Sequence, residues 1–262
     1  MARIPLSAVI ICRNAEALLP DCLSAAAFAD EVVVVVDSDS TDGSAEVAQH
    51  YGASVIVSHW RGFGAQKQYA IEQASNDWVL CLDADEAVTE LLRDSIVHTL
   101  NTGRLLPAAF CFARRNRFLG RDLSHGEGYP DWSLRLFDRR RARWTADAVH
   151  ERVETTGEAA RLDGDLLHNT SHGGLAAYLE KQNRYTTLAA KAALQAGNRA
   201  SVAKMLLSPL LRFGKFYLLR LGFLDGWPGL MHILIGCGNS FWKYAKMLEV
   251  QRGDPGQLHS RT

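Results

Sequence analysis

The 262-residue sequence lacks paired cysteines. Its five cysteines are an odd number and lie far apart, mostly inside apolar runs, without the short spacings of disulfide frameworks or zinc sites. They are Cys12, Cys22, Cys81, Cys111 and Cys237. This pattern excludes a disulfide-stapled scaffold and predicts buried thiols in a reducing compartment.

Net charge is also absent, since 29 basic residues balance 29 acidic ones. The two signs are nevertheless segregated along the chain. Residues 199–252 carry eight Lys/Arg and two Asp/Glu, which leaves 21 and 27 in the rest. A neutral chain without a recognisable DNA- or RNA-binding motif is not expected to bind nucleic acid.

No long, uninterrupted apolar run is present. The uncharged stretch Gly226–Trp242 is too short, and too broken by glycine and proline, for a membrane span. Residues 1–5 lead directly into a strand-like run without the pattern of a secretion signal, so we expect a cytoplasmic protein.

Residues 203–250, in contrast, mix many apolar side chains with Arg212 and Lys215. They suit either a peripheral contact with the cytoplasmic face of the inner membrane or a helical cap on the protein's own sheet.

Apolar residues make up 47% of the sequence and fall into alternating strand and helix patterns. Asn14 is expected to cap the first helix, which runs to Ala29. Strands are predicted at Ser7–Cys12, Val32–Val36, Ser54–Val57 and Trp78–Leu82, with further helices at Ser44–Tyr51 and Ala65–Ala74. This βαβ order predicts an α/β fold with a mostly parallel sheet flanked by helices.

The alternation stops after Phe110. Two strands are predicted at Ala109–Ala113 and Ser133–Phe137, and three helices at Leu175–Gln195, Val202–Leu221 and Leu230–Val250. The breaker Gly226–Gly229 is expected to separate the last two helices. We therefore divide the chain into an α/β domain, residues 1–172, and a C-terminal helical region, residues 173–262.

Acidic residues stand at the ends of two predicted strands. In open parallel sheets ligands bind beyond the carboxyl ends of the strands, where Asp37 and Asp83 fall. The loop Ser38–Gly43 after Asp37 has short polar side chains, and its carboxylates, Asp39 included, are suited to hold ribose hydroxyls and a base edge. A simple connecting turn is the alternative. A calcium-binding loop is excluded because its twelfth position is Ala48.

Asp83 and Asp85 are separated by a single residue. On an extended backbone both carboxylates point to the same side, where they can share one divalent cation. Such a cation bridges the phosphates of a nucleoside diphosphate and neutralises charge as the bond to a sugar breaks. Asp-x-Asp triplets are common on solvated loops, so the position after an apolar strand is what makes this one informative.

The segment Gly62–Gly64 resembles part of a dinucleotide-binding fingerprint, but Lys67 replaces the third glycine. A Rossmann dehydrogenase is therefore not expected. Arg61 and Lys67 instead flank a predicted helix start, which can receive diphosphate oxygens. Solvated surface charges are the alternative.

Two carboxylates are candidates for a general base. They are Glu151 and Asp131, and the turn that precedes Asp131 contains a proline that can hold this carboxylate in a fixed position. A zinc protease site at His150–Glu151 is excluded because Glu154 stands where the second histidine is required. His168 and His172 are four residues apart, but they lie at a predicted turn rather than on a helix.

Arginine is concentrated between residues 114 and 143. The group comprises Arg114, Arg115, Arg117, Arg121, Arg135, Arg139, Arg140, Arg141 and Arg143. Guanidinium groups suit phosphate recognition, and a phosphorylated glycolipid fits a neutral chain better than nucleic acid does. Solvated hairpin residues are the alternative.

The two acidic strand ends, taken together, resemble a known family. The segments Val35–Ser44 and Leu82–Glu86 are similar to the inverting family 2 glycosyltransferases of the GT-A fold. Further similarity, to the lipopolysaccharide-core glucosyltransferase branch, lies in Trp60–Lys67, Tyr129–Asp131, Leu134–Phe137 and Val149–Glu151. The resemblance covers nearly the whole chain.

This resemblance implies a nucleotide-sugar donor such as UDP-glucose, a divalent metal (Mg²⁺ or Mn²⁺) and a membrane-borne saccharide acceptor. It implies donor-binding roles for Asp37, Asp39, Lys67 and Asp83, metal roles for Asp83, Asp85 and His168, and the base at Glu151. We place Arg61 with the donor because of its position at the helix start, and Arg114, Arg135 and Tyr129 on the acceptor side. Three positions depart from the family pattern: Asp39, where glycine is frequent, Gln68, where asparagine is usual, and Glu127–Gly128, where a tryptophan-containing turn is expected.

The leading hypothesis is an inverting, metal-dependent enzyme that moves a hexose to a lipopolysaccharide-core or other lipid-linked saccharide. One alternative is a non-catalytic sugar-nucleotide or glycan-binding protein on the same scaffold. Another is a polyprenyl-phosphate glycosyltransferase. A sugar-nucleotide pyrophosphorylase is disfavoured because no Gly-rich basic loop follows Ile10–Arg13.

Overall fold

The computed structural model describes residues 3–102, 105–145 and 151–253. The pattern of contacts divides the chain into two compact units. Unit 1 consists of residues 1–115 and 131–169, and unit 2 of residues 116–130 and 170–262. Residues 116–130 thus group with the C-terminal helices, although they lie inside the range 1–172 predicted for the α/β domain.

Four parallel strands form one half of the sheet in unit 1. They are β1 (Leu6–Cys12), β2 (Glu31–Asp37), β3 (Ser54–Ser58) and β4 (Trp78–Asp83), and they are connected by α1 (Leu19–Ala26), α2 (Ser44–His50) and α3 (Phe63–Glu72). Their order in the sheet is β3-β2-β1-β4. Every residue of β1 is buried and β2 is a run of valine, as expected for strands covered on both faces. The predicted βαβ pattern is confirmed.

The other half of the sheet is antiparallel, so the sheet as a whole is mixed. After β5 (Glu86–Val88) and α4 (Glu90–Asn101) come β6 (Ala109–Phe118), β7 (Arg121–Asp122), β8 (Asp131–Asp138), β9 (Ala142–Trp144), β10 (Val153–Thr155) and β11 (Ala159–Asn169). The order continues from β4 through β8, β6 and β11 to β5, while β9 and β10 form a separate hairpin. The sequence patterns predict β6 and β8 but miss β5, α4, β7, β9, β10 and β11.

Alternate residues of the parallel strands face two different cores. Ile10 and Leu80 belong to the core covered by α1 and α4. Val9 and Val79 belong to the opposite core, where Ile71 of α3 packs against them. This alternation fixes the register of the sheet, and therefore which residues lie next to each other at the strand ends.

Unit 2 is helical. Its helices are α5 (Gly174–Gln195), α6 (Val202–Phe213), which continues as a π-helical turn (Gly214–Leu219), a 3₁₀ turn (Gly222–Asp225) and α7 (Gly226–Arg252). Residues 116–130 are tied to these helices by backbone hydrogen bonds from His125 to the Asp225 carboxylate and from Gly126 to the Arg220 carbonyl, each 2.8 Å long. Phe118 and Tyr178 form part of this unit's core.

Two local predictions are wrong. Asn14 does not cap α1: its φ is +48°, and its side-chain oxygen accepts the N–H of Thr41 at 2.8 Å. The segment Gly226–Gly229 does not separate two helices but forms the first turn of α7, where Pro228 is tolerated because that N–H needs no helical partner.

The five cysteines are free thiols. Four are buried and Cys111 is half-buried, in agreement with the prediction. Burial, followed by the charges of Asp42 and Asp37, raises the pKa of Cys12 to about 12, so this thiol is inert at neutral pH.

Among the described residues no single helix is both long and apolar enough to cross a membrane. The segments Val202–Leu219 and Gly222–Arg252, which are bent by 76°, meet the requirements of length and composition only as a pair.

Candidate active site

The carboxyl ends of β2, β1 and β4 meet at one edge of the sheet. In the register, Val36 pairs with Cys12, so Asp37 and Arg13 follow side by side, and Ile11 pairs with Asp83. The two acidic strand ends predicted from the sequence therefore flank the end of β1. Ligands bind at this edge in open α/β sheets.

Asp37 is buried at the end of β2. One of its carboxylate oxygens accepts the N–H of Asp39 at 3.1 Å, and the other lies 3.3 Å from the Arg13 guanidinium without a hydrogen bond. Asp39 is exposed, 3.7 Å from the same guanidinium. Arg13 was not predicted as a site residue, although a basic residue directly after a strand is a signal that could have pointed to it. A buried acceptor oxygen of this kind suits a ligand that donates a hydrogen bond.

The loop after Asp37 is rigidly held. The Gly43 N–H donates to Glu16 at 2.9 Å, and the Ser44 hydroxyl accepts the N–H of Ala15 at 2.9 Å. Burial alone raises the pKa of Asp42, but hydrogen bonds from the Ser44 side chain and from backbone N–H groups outweigh it and lower that pKa below its ordinary value. This segment is therefore a preformed support for Asp37 and Asp39.

Asp83 ends β4 between two cations. Its carboxylate lies 3.0 Å from the Lys67 ammonium and accepts a 2.8 Å hydrogen bond from Arg135. Burial by itself raises the pKa of Asp83, but the charges of Arg135 and Lys67 hold it well below its usual range. Asp83 is therefore ionised throughout the neutral and mildly acidic range.

Glu86 extends this ion-pair network. It is only 1% exposed, it accepts the N–H of Asp83 at 3.0 Å, and it pairs with Arg135 at 3.0 Å and Arg114 at 3.5 Å. Arg114 in turn donates to Asp131 at 2.6 Å and 2.9 Å. Glu86 was not predicted as a site residue, although a glutamate directly after an Asp-x-Asp triplet is a signal that could have pointed to it.

Glu151 lies at the other end of the network. Its carboxylate is 3.6 Å from the Lys67 ammonium. The backbone beside it is fixed because Thr145 and Arg152 bond to each other, with 2.9 Å between the Thr145 nitrogen and the Arg152 carbonyl oxygen. Val149 and His150, which precede it, lie outside the described residues. Glu151, Lys67, Asp83, Arg135, Glu86, Arg114 and Asp131 thus form one continuous chain of charges.

Trp144 lines the middle of this chain. The Lys67 ammonium lies 4.7 Å and the Arg135 guanidinium 5.4 Å from its ring. Gln68 accepts the backbone N–H of Trp144 at 3.0 Å, so one of the three departures from the family pattern anchors β9. Another departure, Glu127, forms an ion pair with Arg212 within unit 2.

Asp85 lies in a turn. Residues 84 and 85 connect β4 and β5, so the extended backbone predicted for the triplet is wrong. Because Glu86 of β5 pairs with His168 of β11, Asp85 lies beside His168, with 3.4 Å between Oδ2 and Nε2.

The pair Asp85 and His168 has a spacing suited to a shared metal ion. Two donor atoms, each about 2.1 Å from one ion and at a right angle, lie about 3 Å apart, close to the distance between these side chains. Within the described part of the chain, no three acidic, histidine or cysteine side chains form a metal-binding group. An ion at this pair needs further oxygen ligands, such as phosphate or water.

Other predicted site residues occupy different positions. Arg61 donates to the Ser58 hydroxyl and stacks on Tyr69, 3.9 Å from the ring centre, next to the end of β3. Arg135 is only 3% exposed, and its guanidinium pairs with Asp83 and Glu86. Tyr129 is half-buried and belongs to unit 2.

Carboxylates, a lysine and an arginine lie together at the carboxyl ends of parallel strands. This arrangement is typical of enzymes that bind phosphorylated, polyhydroxylated ligands. The comparison with protein families is more specific. A family model described as glycosyl transferase family 2 matches residues 7–156, which include β1 to β10. The chain belongs to glycosyl transferase family 2.

Known proteins agree with this assignment. The lipopolysaccharide core biosynthesis glycosyltransferase LpsC of Rhizobium meliloti is 30% identical, and the match covers 94% of this chain and 93% of that protein. An uncharacterized glycosyltransferase of Rickettsia typhi is 28% identical over 94% of this chain and 87% of its own length. The chain is therefore an enzyme with a GT-A-like fold that resembles the lipopolysaccharide-core branch.

Among solved structures, similarity is looser. The glucosyl-3-phosphoglycerate synthase of Mycobacterium tuberculosis, in complex with Mn²⁺, UDP and glucosyl-3-phosphoglycerate, is 22% identical. The match covers 44% of this chain and 45% of that one, with a TM-score of 0.35.

Proposed function

We propose that this enzyme is an inverting, metal-dependent hexosyltransferase that moves a sugar from a nucleoside diphosphate donor to a lipopolysaccharide-core or other lipid-linked saccharide. The observation that carries the proposal is that Asp37 and Asp83 lie on either side of the end of β1. UDP-glucose is the first donor to test. We assign catalysis to residues 1–172 and an accessory role to residues 173–262, at the cytoplasmic face of the membrane that carries the acceptor.

We assign the nucleoside to the end of β2. The unbonded oxygen of buried Asp37 suits an N–H or O–H donor such as a uracil ring or a ribose hydroxyl, and exposed Asp39 offers a second carboxylate nearby. Asp83 would contact the ribose. Arg61 and Lys67 would face the diphosphate. Lys67 supports this assignment because its ammonium lies 3.0 Å from the Asp83 carboxylate.

We assign the metal to Asp85 and His168, whose spacing fits two ligands of one divalent ion. An ion held there would neutralise the charge of the departing nucleoside diphosphate. Asp83, which is bonded to Lys67 and Arg135, would contribute indirectly by fixing the turn that carries Asp85.

The general base would be Glu151. A base must accept a proton from the attacking hydroxyl, and direct hydrogen bonds from a cation make a carboxylate a weaker base. Asp131 accepts two hydrogen bonds from Arg114, both at Oδ2. Glu151 lies 3.6 Å from the Lys67 ammonium, outside normal hydrogen-bond distance.

The donor and the metal are tested together. We expect UDP release from a panel of nucleotide sugars to require Mn²⁺ or Mg²⁺, to stop with EDTA, and to fall about a hundredfold in Asp85→Asn. Asp94→Asn, a carboxylate-to-amide change at an exposed surface ion pair, is the matched control and should leave activity unchanged. Activity in EDTA that is equal in Asp85→Asn and wild type would overturn metal dependence but not sugar transfer.

The base is tested by comparing two isosteric variants. Glu151→Gln should keep donor affinity, measured by calorimetry, and lose transfer by about a hundredfold or more. Asp131→Asn should lose less, through disturbance of Arg114. If Asp131→Asn alone abolishes transfer with donor binding intact, the base is Asp131.

The acceptor is tested with purified lipids. Lipopolysaccharide-core saccharides truncated at successive sugars should include one that accepts a labelled hexose, with inversion at the anomeric carbon seen by NMR. Transfer to polyprenyl phosphate instead would support the other acceptor class. Retention of configuration would contradict the direct role of Glu151.

A further inference from the structure

Helix α6 is largely apolar although it lies at the surface of unit 2. Most of its twelve residues are apolar, yet none of them is buried. Its side chains with the largest apolar exposure are Val202, Leu206, Leu207, Leu210 and Leu211, with 67% of Leu210 and 72% of Leu211 accessible. A surface helix in a water-exposed position normally turns such residues toward a core.

The leucines share one face of α6. Residues three and four apart lie on the same side of a helix, so Leu206, Leu207, Leu210 and Leu211 form a stripe. A different side faces the rest of unit 2, because Arg212 donates to Glu127 and to the Ser240 hydroxyl of α7 at 3.1 Å. The next turns add more exposed apolar side chains: Leu218, Leu219, Leu221, Phe223, Leu224 and Trp227.

The charges around this apolar face are of one sign. Arg199, Lys204, Lys215 and Arg220 are all exposed. Asp225 is the one acidic residue between positions 199 and 227, and it is buried, with its carboxylate bonded to the backbone and 3.0 Å from the ring of His125. The exposed charge of the segment is therefore entirely basic.

We propose that α6 and the two turns after it, residues 202–227, form a docking surface for an anionic phospholipid membrane. Exposed leucines with aromatic side chains enter the boundary between headgroups and acyl chains, while the basic residues contact lipid phosphates. A second copy of this chain is a poorer partner, because pairing the two surfaces brings like charges together. The proposal does not depend on the identity of donor or acceptor.

The experiment is vesicle flotation with the full chain and no substrate. Binding is expected to vesicles of phosphatidylcholine mixed with phosphatidylglycerol, to be weak on phosphatidylcholine alone, and to fall as salt is added. Leu210→Ser/Leu211→Ser should weaken binding at least about tenfold. The control is Leu91→Ser, at a leucine of α4 that is 63% exposed and lies in unit 1.

The basic residues are tested separately. Each of Lys204→Gln and Lys215→Gln should weaken binding to the anionic vesicles about fivefold. Arg93→Gln, at an exposed ion pair of α4, should not. UDP release without vesicles should be unchanged in all these variants, which shows that they are folded.

Three results would overturn the proposal. The first is wild-type binding that does not depend on anionic lipid, or that the leucine variants leave intact. The second is a dimer, seen by analytical ultracentrifugation, that Leu210→Ser/Leu211→Ser dissociates. The third is resistance of membrane-bound protein to alkaline carbonate, which would indicate insertion of the bent pair of helices across the bilayer.

Discussion

Arg135 holds together the buried half of the active site. It lies between Asp83 and Glu86, and it is itself held in the charged form: burial lowers its pKa, but the charges of Glu86 and Asp83 outweigh burial and raise it. Loss of Arg135 would leave the carboxylates of Asp83 and Glu86 without this partner. Removing one partner of a buried ion pair leaves the other charge without compensation.

We therefore expect Arg135→Ala to destabilise the protein by about 3–5 kcal/mol, measured by urea unfolding. Arg93→Ala removes an exposed arginine paired with Asp94 and should cost less than about 1 kcal/mol. Equal effects of the two substitutions would contradict the network described here.

The start of α3 is the element that sets the position of Glu151. A Cβ on Gly64 would lie 2.0 Å from the Thr145 carbonyl oxygen and 3.1 Å from the Glu151 Cβ. No L-residue other than glycine fits this contact without movement of the backbone. The same helix carries Lys67, so α3 and the segment around Glu151 must approach this closely for the two charges to meet.

Gly64→Ala is accordingly expected to lower transfer more than about tenfold and to destabilise the protein by about 1–3 kcal/mol. Gly214→Ala is the matched control, since its φ is −56° and no atom lies within 4 Å of the added methyl group. That control should leave activity nearly unchanged and should stabilise the protein by about 0.4–1 kcal/mol, since alanine restricts the unfolded chain. Full activity of Gly64→Ala would show that this close contact does not position Glu151.

Two strands show why one element could be predicted and another could not. The valine run of β2 has one favourable structure, a strand covered on both faces. The three residues of β5 carry too little pattern to be predicted, and they form a strand because β11, far along the chain, pairs with them. That distant pairing also brings His168 to Asp85.

At the scale of the whole molecule, a buried histidine in unit 2 makes stability depend on pH. His232 lies in the core of unit 2, against the rings of Phe118 and Tyr178. Burial, followed by the charge of Arg212, lowers its pKa from 6.5 to about 4. The unfolded chain therefore binds a proton between these two pH values, whereas the folded chain does not, and stability falls as the pH drops through this window.

We expect unfolding free energy to fall by about 2 kcal/mol between about pH 7 and about pH 5 through His232 alone. His232→Leu should remove this part of the pH dependence, and should be tolerated because within the described residues Nδ1 has no hydrogen-bond partner. His98→Leu, at an exposed histidine of α4, should leave the pH dependence unchanged. A slope that His232→Leu does not alter would assign the acid sensitivity to other groups.

The sequence by itself determined the parallel half of the sheet, the acidic strand ends and the family. Each of these is written in contiguous residues: apolar runs, Asp37 and its loop, and the triplet that begins at Asp83. Hydrophobic periodicity and short motifs are local properties, and local properties can be read without coordinates.

Only the tertiary structure decided which charges meet. Arg13, Glu86 and Trp144 join the site through strand register and burial, and the pairing of β5 with β11 brings His168 to Asp85. Contacts between residues distant in sequence depend on the packing of elements, for which no short segment carries the information. The same reason groups residues 116–130 with the C-terminal helices, and leaves the leucines of α6 exposed.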